Sequence, residues 1–251
     1  MLARCSASSL SVAAGGFAVC VAYHVHGAVI ELAAVSDTTL YESATGALGN
    51  GAGQYLFAGT TNQPQLRRAL ISFDAAGALP EQAIIESVQL TLHVASASAQ
   101  THSFSLHRVT SAWGEGLSDA VGNEGSGAAA MMGDATWLYS SWPGIAWTNP
   151  GGDFSTVASA ATSVGDIGFY SWTSTQLRDD VRAWLADPSA QFGWILRGDE
   201  SSPGTTRRFD SSEAIDALLV PTLTISYSIA PAPGSIALLA LSLLVARSRR
   251  R

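Results

Sequence analysis

The chain has 251 residues, with 13 arginines, no lysine and 20 acidic residues. Five of the arginines lie in the two terminal segments, so the central part keeps eight arginines against all twenty acids. That balance excludes a nucleic-acid-binding surface, because binding to phosphates depends on an excess of lysine and arginine. The only cysteines, Cys5 and Cys20, lie near the N-terminus, which leaves the central part without a disulfide or a cysteine metal site.

The N-terminal segment, residues 1–28, has the pattern of a signal peptide. It carries a positive charge at Arg4 and a mostly apolar stretch over residues 10–23, and it ends in small residues. Two cleavage sites are open, after Ala28 and after Ala22. We therefore expect the chain to be exported.

The central segment, residues 29–229, consists of short apolar runs separated by turn residues, which predicts an all-β domain. Residues 88–94 alternate between apolar and polar side chains, as in a strand with one buried face. Residues 104–109 alternate similarly, and the two runs are predicted to pair as a hairpin. The predicted strands are 29–35, 38–41, 55–58, 69–73, 88–94, 104–109, 192–196 and 223–227.

Two segments interrupt this pattern. Residues 117–133 are rich in glycine, alanine and serine and are predicted to form a mobile surface loop. One amphipathic helix is predicted to begin at Ser174 or Thr175 and to end at Asp187, before a proline. We expect this helix to pack on the end of a β-sandwich.

Four segments of the central domain, taken in order, resemble the DNRLRE family of secreted surface proteins. They are residues 37–41, 67–74, 106–116, and 208–213 together with 221–227. The resemblance implies an all-β, jelly-roll β-sandwich, to which the periodicity adds one short helix. Some members of that family are carbohydrate-binding modules of polysaccharide-degrading enzymes, and others are cell-envelope proteins. The implied role is therefore non-catalytic, at a surface or on a polysaccharide.

The C-terminal segment, residues 230–251, combines a proline-rich start, a mostly apolar run over 236–246 and an arginine cluster. The run is shorter than the roughly 20 residues of a membrane-spanning helix, and the arginines are expected to stay on the cytoplasmic side. The segment resembles the PEP-CTERM sorting signal of Gram-negative bacteria, which is cut by an exosortase and accompanies exopolysaccharide production. Ala232 departs from the glutamate usual there, and a plain membrane anchor is the alternative. The sorting residues are Pro231, Pro233, Gly234, Ser235, Arg249, Arg250 and Arg251.

Aromatic residues cluster over residues 137–147 and predict a sugar-binding platform. Exposed rings offer flat faces to sugars, and nearby polar side chains supply hydrogen bonds. The alternative is a loop held against the sandwich by buried aromatic side chains. The candidate residues are Trp137, Tyr139, Trp142 and Trp147, with Asp134 and Asn149 as polar partners.

Four acidic residues near the two ends of the domain are candidate ligands of a structural calcium ion. Calcium binds several carboxylate and carbonyl oxygens, and a jelly roll often holds one where its first and last strands meet. The alternative is a set of turn acids that pair with neighbouring arginines. The candidates are Asp37, Glu42, Asp210 and Glu213. No other cofactor is expected.

The sequence contains no motif that specifies a catalytic reaction, and no catalytic residue is assigned. The leading hypothesis is a non-catalytic protein of the cell envelope or exopolysaccharide matrix that contacts polysaccharide. Its expected partners are the exosortase-type sorting machinery and exopolysaccharide, with no nucleic acid and with membrane contact only through the terminal segments. A structural or adhesive surface component and a polysaccharide-degrading enzyme are the alternatives.

Overall fold

The computed structural model describes residues 27–96 and 100–229. Two helices are found there, α1 (Ala75–Ala78) and α2 (Thr175–Ala186), and a 3₁₀ turn at Pro188–Ala190 follows the second. The strands are β1 (Gly27–Ala33), β2 (Ser36–Tyr41), β3 (Leu48–Gly49), β4 (Tyr55–Thr60), β5 (Leu66–Ser72), β6 (Ala83–Ser96), β7 (His102–Val109), β8 (Ala128–Ala129), β9 (Tyr139–Ser141), β10 (Ile145–Ala146), β11 (Phe154–Val164), β12 (Gly168–Thr173), β13 (Trp194–Arg197), β14 (Arg207–Asp210) and β15 (Thr222–Ile229).

Eleven of these strands form one curled antiparallel sheet. Along its main path the order is β1-β15-β6-β14-β4-β5-β13-β7-β11, while β12 pairs with β6 and β2 pairs with β5. Strand β4 joins the two halves, because it pairs with β14 on one side and with β5 on the other. Both halves contribute to one large core, so the prediction of an all-β sandwich with a short helix is confirmed.

Strand β1 lies at one end of the sheet and contains one of the two candidate cleavage sites. Gly27 and Ala28 pair with Ser228 and Tyr227 of β15. Cleavage after Ala22 keeps this edge strand whole, whereas cleavage after Ala28 removes its first two residues.

The longest strand, β6, shows why the two halves come together. Its alternate residues from 88 to 94 are each at most 1% exposed, and those between them are half-buried or exposed. Each large apolar side chain buried in this way stabilises the fold by about 1.5–3 kcal/mol. Across the core, the Trp172 indole of β12 donates a hydrogen bond of 2.8 Å to the Phe104 carbonyl of β7.

Helix α2 packs on the same core. The Ser174 hydroxyl caps it by accepting a hydrogen bond of 2.9 Å from the Leu177 amide. Leu177 and Trp184 are fully buried, and the Trp184 ring lies 4.5 Å from that of Trp194, centroid to centroid. The helix stops just before a proline, as predicted, because proline cannot continue the hydrogen-bond pattern.

The predicted hairpin between residues 88–94 and 104–109 is wrong. Strand β6 pairs with β15, β12 and β14, whereas β7 pairs with β11 and β13. The two strands lie in opposite halves of the sandwich and bury one face each in the same core. Alternation identifies a strand with one buried face, but it does not identify the neighbouring strand.

The glycine-rich segment 117–133 is irregular but anchored, contrary to the prediction of a mobile loop. Glu124 is buried, and its carboxylate accepts hydrogen bonds from the amides of Gln54 and Tyr55 at 3.2 and 3.0 Å. The Asn50 side chain donates a third bond of 2.9 Å to the same carboxylate. The segment is therefore fixed next to the start of β4.

Candidate functional site

A polar groove of about 460 Å³ lies on the outer face of the sandwich, where β4, β14 and β6 are neighbours. Arg208 of β14 is in register with Phe57 of β4 and Ser96 of β6, so these side chains share a face. The adjacent Phe209 is fully buried in the core, which places Arg208 on the outside. The volume lies within the range of roughly 300–1,000 Å³ found for ligand sites. The groove is lined by Phe57, Thr61, Asn62, Ser96, Asn123, Gly125, Gly204, Thr206 and Arg208.

Buried polar contacts hold one wall of the groove in place. Arg207 is fully buried and donates hydrogen bonds to the main-chain carbonyls of Thr205 and Thr206 at 3.1 and 3.2 Å. The Thr60 amide donates a bond of 2.9 Å to the Thr205 hydroxyl, which ties the end of β4 to the same wall. A wall fixed before binding lowers the entropic cost of holding a ligand.

Arg208 is the unusual residue of the groove. Its guanidinium carbon lies 4.1 Å from the centre of the Tyr55 ring, which fixes its orientation. The Nε atom is buried without a hydrogen-bond acceptor, and so is the Thr206 hydroxyl oxygen. Among the described residues, Arg208 is the one arginine with neither a hydrogen bond nor an ion pair. The others, each with a partner, are Arg67, Arg68, Arg108, Arg178, Arg182, Arg197 and Arg207.

Beside the groove, the same outer face carries a phenylalanine, a histidine and an aspartate in a row. Phe169 of β12 is 58% exposed, and its ring lies 4.8 Å from that of His93 on β6. The His93 Nδ1 atom lies 2.6 Å from a carboxylate oxygen of Asp210, which is in register with Tyr55. The outer face therefore continues from the groove to an exposed aromatic ring.

The predicted aromatic platform is not presented to solvent as a unit. Trp137 and Trp147 are only 7% and 6% exposed and belong to a second apolar cluster. The Trp147 indole donates a hydrogen bond of 2.8 Å to the Thr136 carbonyl, and the Arg68 guanidinium lies over the Trp137 ring at 4.9 Å. These two rings pack the segment against the sandwich, so the prediction that they offer faces to a sugar is corrected.

The other candidates of that platform are divided between structural and surface positions. Tyr139 and Trp142 are half-buried, and Asn149 is exposed. Asp134 is fully buried, and its carboxylate accepts hydrogen bonds from main-chain amides, including those of Leu117 and Met131 at 3.0 and 2.6 Å. Asp134 is therefore committed to holding the loop and cannot bind a sugar hydroxyl.

Fluorescence quenching checks this division of the tryptophans. We expect Trp142→Phe to remove a larger share of the acrylamide-quenchable emission than Trp147→Phe, because only the first ring reaches solvent to a substantial extent. The measurement is the quenching constant of each variant relative to the unchanged chain. A greater loss in Trp147→Phe would contradict the buried position of that ring.

The predicted calcium ligands divide into two groups. Carboxylate oxygens of Asp37 and Glu213 converge with one of Glu115, all within 4.8 Å of one another. Glu42 instead accepts a hydrogen bond of 2.6 Å from the Leu66 amide, and Asp210 contacts His93, so the prediction that these two join the cluster is corrected. Glu115 was missed because it lies far along the chain from both predicted ends.

Two carboxylates of this acidic cluster, those of Asp37 and Glu115, are harder to ionise than usual. Burial raises the pKa of Asp37 well above its ordinary value, and the nearby Glu213 carboxylate raises it further. Burial also raises the pKa of Glu115, although that carboxylate accepts a hydrogen bond of 2.7 Å from the Asp37 amide. In ligand type and spacing the cluster fits a calcium ion, which binds carboxylate oxygens at about 2.3–2.6 Å.

No protein-family model matches the chain, and no curated protein sequence is significantly similar to it. The DNRLRE and PEP-CTERM resemblances therefore stay predictions from the sequence. In the part of the chain that the structure describes, no helix is long and apolar enough to cross a membrane. Outside that part lie residues 1–26 of the predicted signal peptide and the predicted sorting residues, namely Pro231, Pro233, Gly234, Ser235, Arg249, Arg250 and Arg251.

Proposed function

We propose that the chain is an exported, non-catalytic protein of the cell envelope or exopolysaccharide matrix, and that it binds polysaccharide in the groove around Arg208. The observation that carries this proposal is the polar lining of the groove. Amides and hydroxyls hydrogen-bond sugar hydroxyls, and a fixed wall limits the entropic cost. The exposed Phe169 ring beside the groove supplies a flat apolar face.

The proposed binding is weak per site. The groove is open to solvent, and Asn62 and Asn123 are exposed, so their side chains must exchange water for sugar hydroxyls. Each such hydrogen bond contributes only about 0.5–1.5 kcal/mol. A polymer that bridges many copies of the protein gains avidity without any new contact, which suits a role in a matrix.

Retention of the purified chain in gels that contain neutral or acidic polysaccharides tests the proposal. We expect Asn62→Ala combined with Asn123→Ala to weaken retention several-fold, because each substitution removes an exposed hydrogen-bonding group from the groove. Gln82→Ala, which removes an exposed side-chain amide outside the groove lining, is the control and is expected to behave like the unchanged chain. If no polysaccharide retains the chain, including the matrix of the producing cells, the binding proposal is overturned in favour of a structural surface component.

A further inference from the structure

Arg208 carries a charge that the described protein leaves unsatisfied. Its Nε atom is buried without an acceptor, and none of the described residues that line the groove is acidic. The closest acid along the strand, Asp210, is engaged with His93 at 2.6 Å. Arg208 as a whole is half-buried, so the rest of its guanidinium is open to a negatively charged partner from the groove.

We infer that Arg208 receives a carboxylate of the bound polymer, so that the ligand is an acidic polysaccharide containing uronate sugars. This inference rests on the proposed function of the groove. The guanidinium is planar and presents its N–H groups as a fork, which matches the two oxygens of a carboxylate. Stacking on Tyr55 holds that fork in one orientation before the ligand arrives.

The neighbouring residues of the groove complete a site for an acidic sugar. Asn62 and Asn123 offer exposed side-chain amides for the ring hydroxyls of the same or the next sugar. The lining contributes donors and neutral acceptors, and none of its members repels a carboxylate. The site therefore distinguishes a uronate from the corresponding neutral sugar by charge at one position.

The charge of the whole domain limits how dense the ligand's own charge can be. The central part has eight arginines and twenty acids, so a closely spaced polyanion is repelled over distances up to the Debye length, about 8 Å at physiological ionic strength. A polymer in which uronates alternate with neutral sugars places one carboxylate at Arg208 and avoids most of that repulsion. Such spacing is the expected form of the ligand.

Cellobiouronic acid, a disaccharide of one uronate and one neutral sugar, and its methyl ester are matched probes, because they differ by one charge and keep the same sugar rings. We expect the purified chain to bind the free acid about tenfold more tightly than the ester in calorimetric titrations, the size of one charge-assisted hydrogen-bonded pair. Arg208→Gln is expected to abolish this preference, while Arg208→Lys, which keeps the charge without the fork, retains part of it. Arg178→Gln makes the same charge change on α2, where Arg178 pairs with Asp179, and is expected to leave the preference intact.

The results separate the inference from the proposed function. Equal binding of acid and ester by the unchanged chain, or a preference that survives in Arg208→Gln, overturns the role of Arg208 and leaves polysaccharide binding standing. Failure of both probes and of every polymer in the gel assay overturns the proposed function itself. Near-ultraviolet circular dichroism of each variant confirms that the fold is kept, and Arg208→Lys preserves the stacking on Tyr55 if the glutamine variant does not fold.

Discussion

Asp180→Ala is expected to destabilise the folded domain by about 3–5 kcal/mol, whereas Asp179→Ala, one residue away, costs less than about 1 kcal/mol. Asp180 is 3% exposed and joins α2 to β11 and β13, two strands of one half of the sandwich. Its carboxylate accepts hydrogen bonds from the Ser159 hydroxyl at 2.5 Å and from the Trp194 indole at 2.9 Å. Alanine leaves both donors buried without an acceptor, and each costs about 1–3 kcal/mol.

Asp179 provides the matched control on the same helix. Its side chain is 44% exposed and pairs with Arg178 and Arg182, both at 3.1 Å. Exposed ion pairs of this kind contribute little, because water and salt screen them. Urea unfolding of the two variants and the unchanged chain measures the difference in the free energy of unfolding. Similar losses in both variants would show that Asp180 is not the buried link between helix and sheet.

The sequence predicted the elements whose apolar residues recur at the periods of a helix or a strand. Helix α2 and the core-facing side of β6 follow such patterns closely. Strand β11 was missed, because alanine, serine and threonine make up most of it and its pairing with β7 contains register shifts. The sequence also did not show that Asp179 is exposed and Asp180 buried, because the two buried donors to Asp180, Ser159 and Trp194, come from β11 and β13.

The candidate site was less predictable than the fold, because its residues come from distant parts of the chain. The alternation of Arg208 and Phe209 is enough to suggest one side chain outside and one inside. The remaining walls come from residues 61–62, 123–125 and 204–206, which only the sheet order brings together. Residue type alone also gave a wrong prediction for the sugar platform. Trp137 and Trp147 are of a type suited to stacking on sugars, but both rings are buried in the second apolar cluster.

Asp37→Asn is expected to stabilise the domain by about 1 kcal/mol at neutral pH, because it removes one buried charge from the acidic cluster formed with Glu115 and Glu213. Asparagine keeps an oxygen for the Ser212 amide, which donates a bond of 2.8 Å to Asp37. Its amide nitrogen also gives the two remaining carboxylates a donor. The gain is measured by urea unfolding at pH 7.

The pH dependence of stability has a definite sign at this cluster. The pKa of Asp37 is raised in the folded state above its ordinary value of 3.8. At a pH between the ordinary pKa and the raised one, the folded chain therefore binds more protons than the unfolded chain. The stabilisation from the protonated group is present at low pH and is lost as the pH rises through that window. Asp37→Asn is expected to remove this decline, and an unchanged decline would assign it to other groups.

Asp199→Asn provides a control of opposite sign. Hydrogen bonds from Ser201, first from its hydroxyl and then from its amide, lower the pKa of Asp199 in the folded state. The stability that this carboxylate contributes is therefore present above its unfolded pKa and is lost as the pH falls through the folded one. We expect Asp199→Asn to be slightly less stable than the unchanged chain at neutral pH, in contrast to Asp37→Asn.

We propose calcium as the ion that offsets the repulsion in the acidic cluster at neutral pH. Two ligand atoms on opposite sides of a calcium ion lie about 5 Å apart, and the three carboxylates already meet that spacing. Millimolar calcium is then expected to raise the melting temperature of the unchanged chain at pH 7 by several degrees, since a ligand bound only to the folded state stabilises it. The same addition is expected to leave Asp37→Asn nearly unchanged. An equal rise of the melting temperature in both proteins would place the calcium site elsewhere. If calcium raises neither melting temperature, protonation of Asp37 remains as the way in which the repulsion in the cluster is reduced.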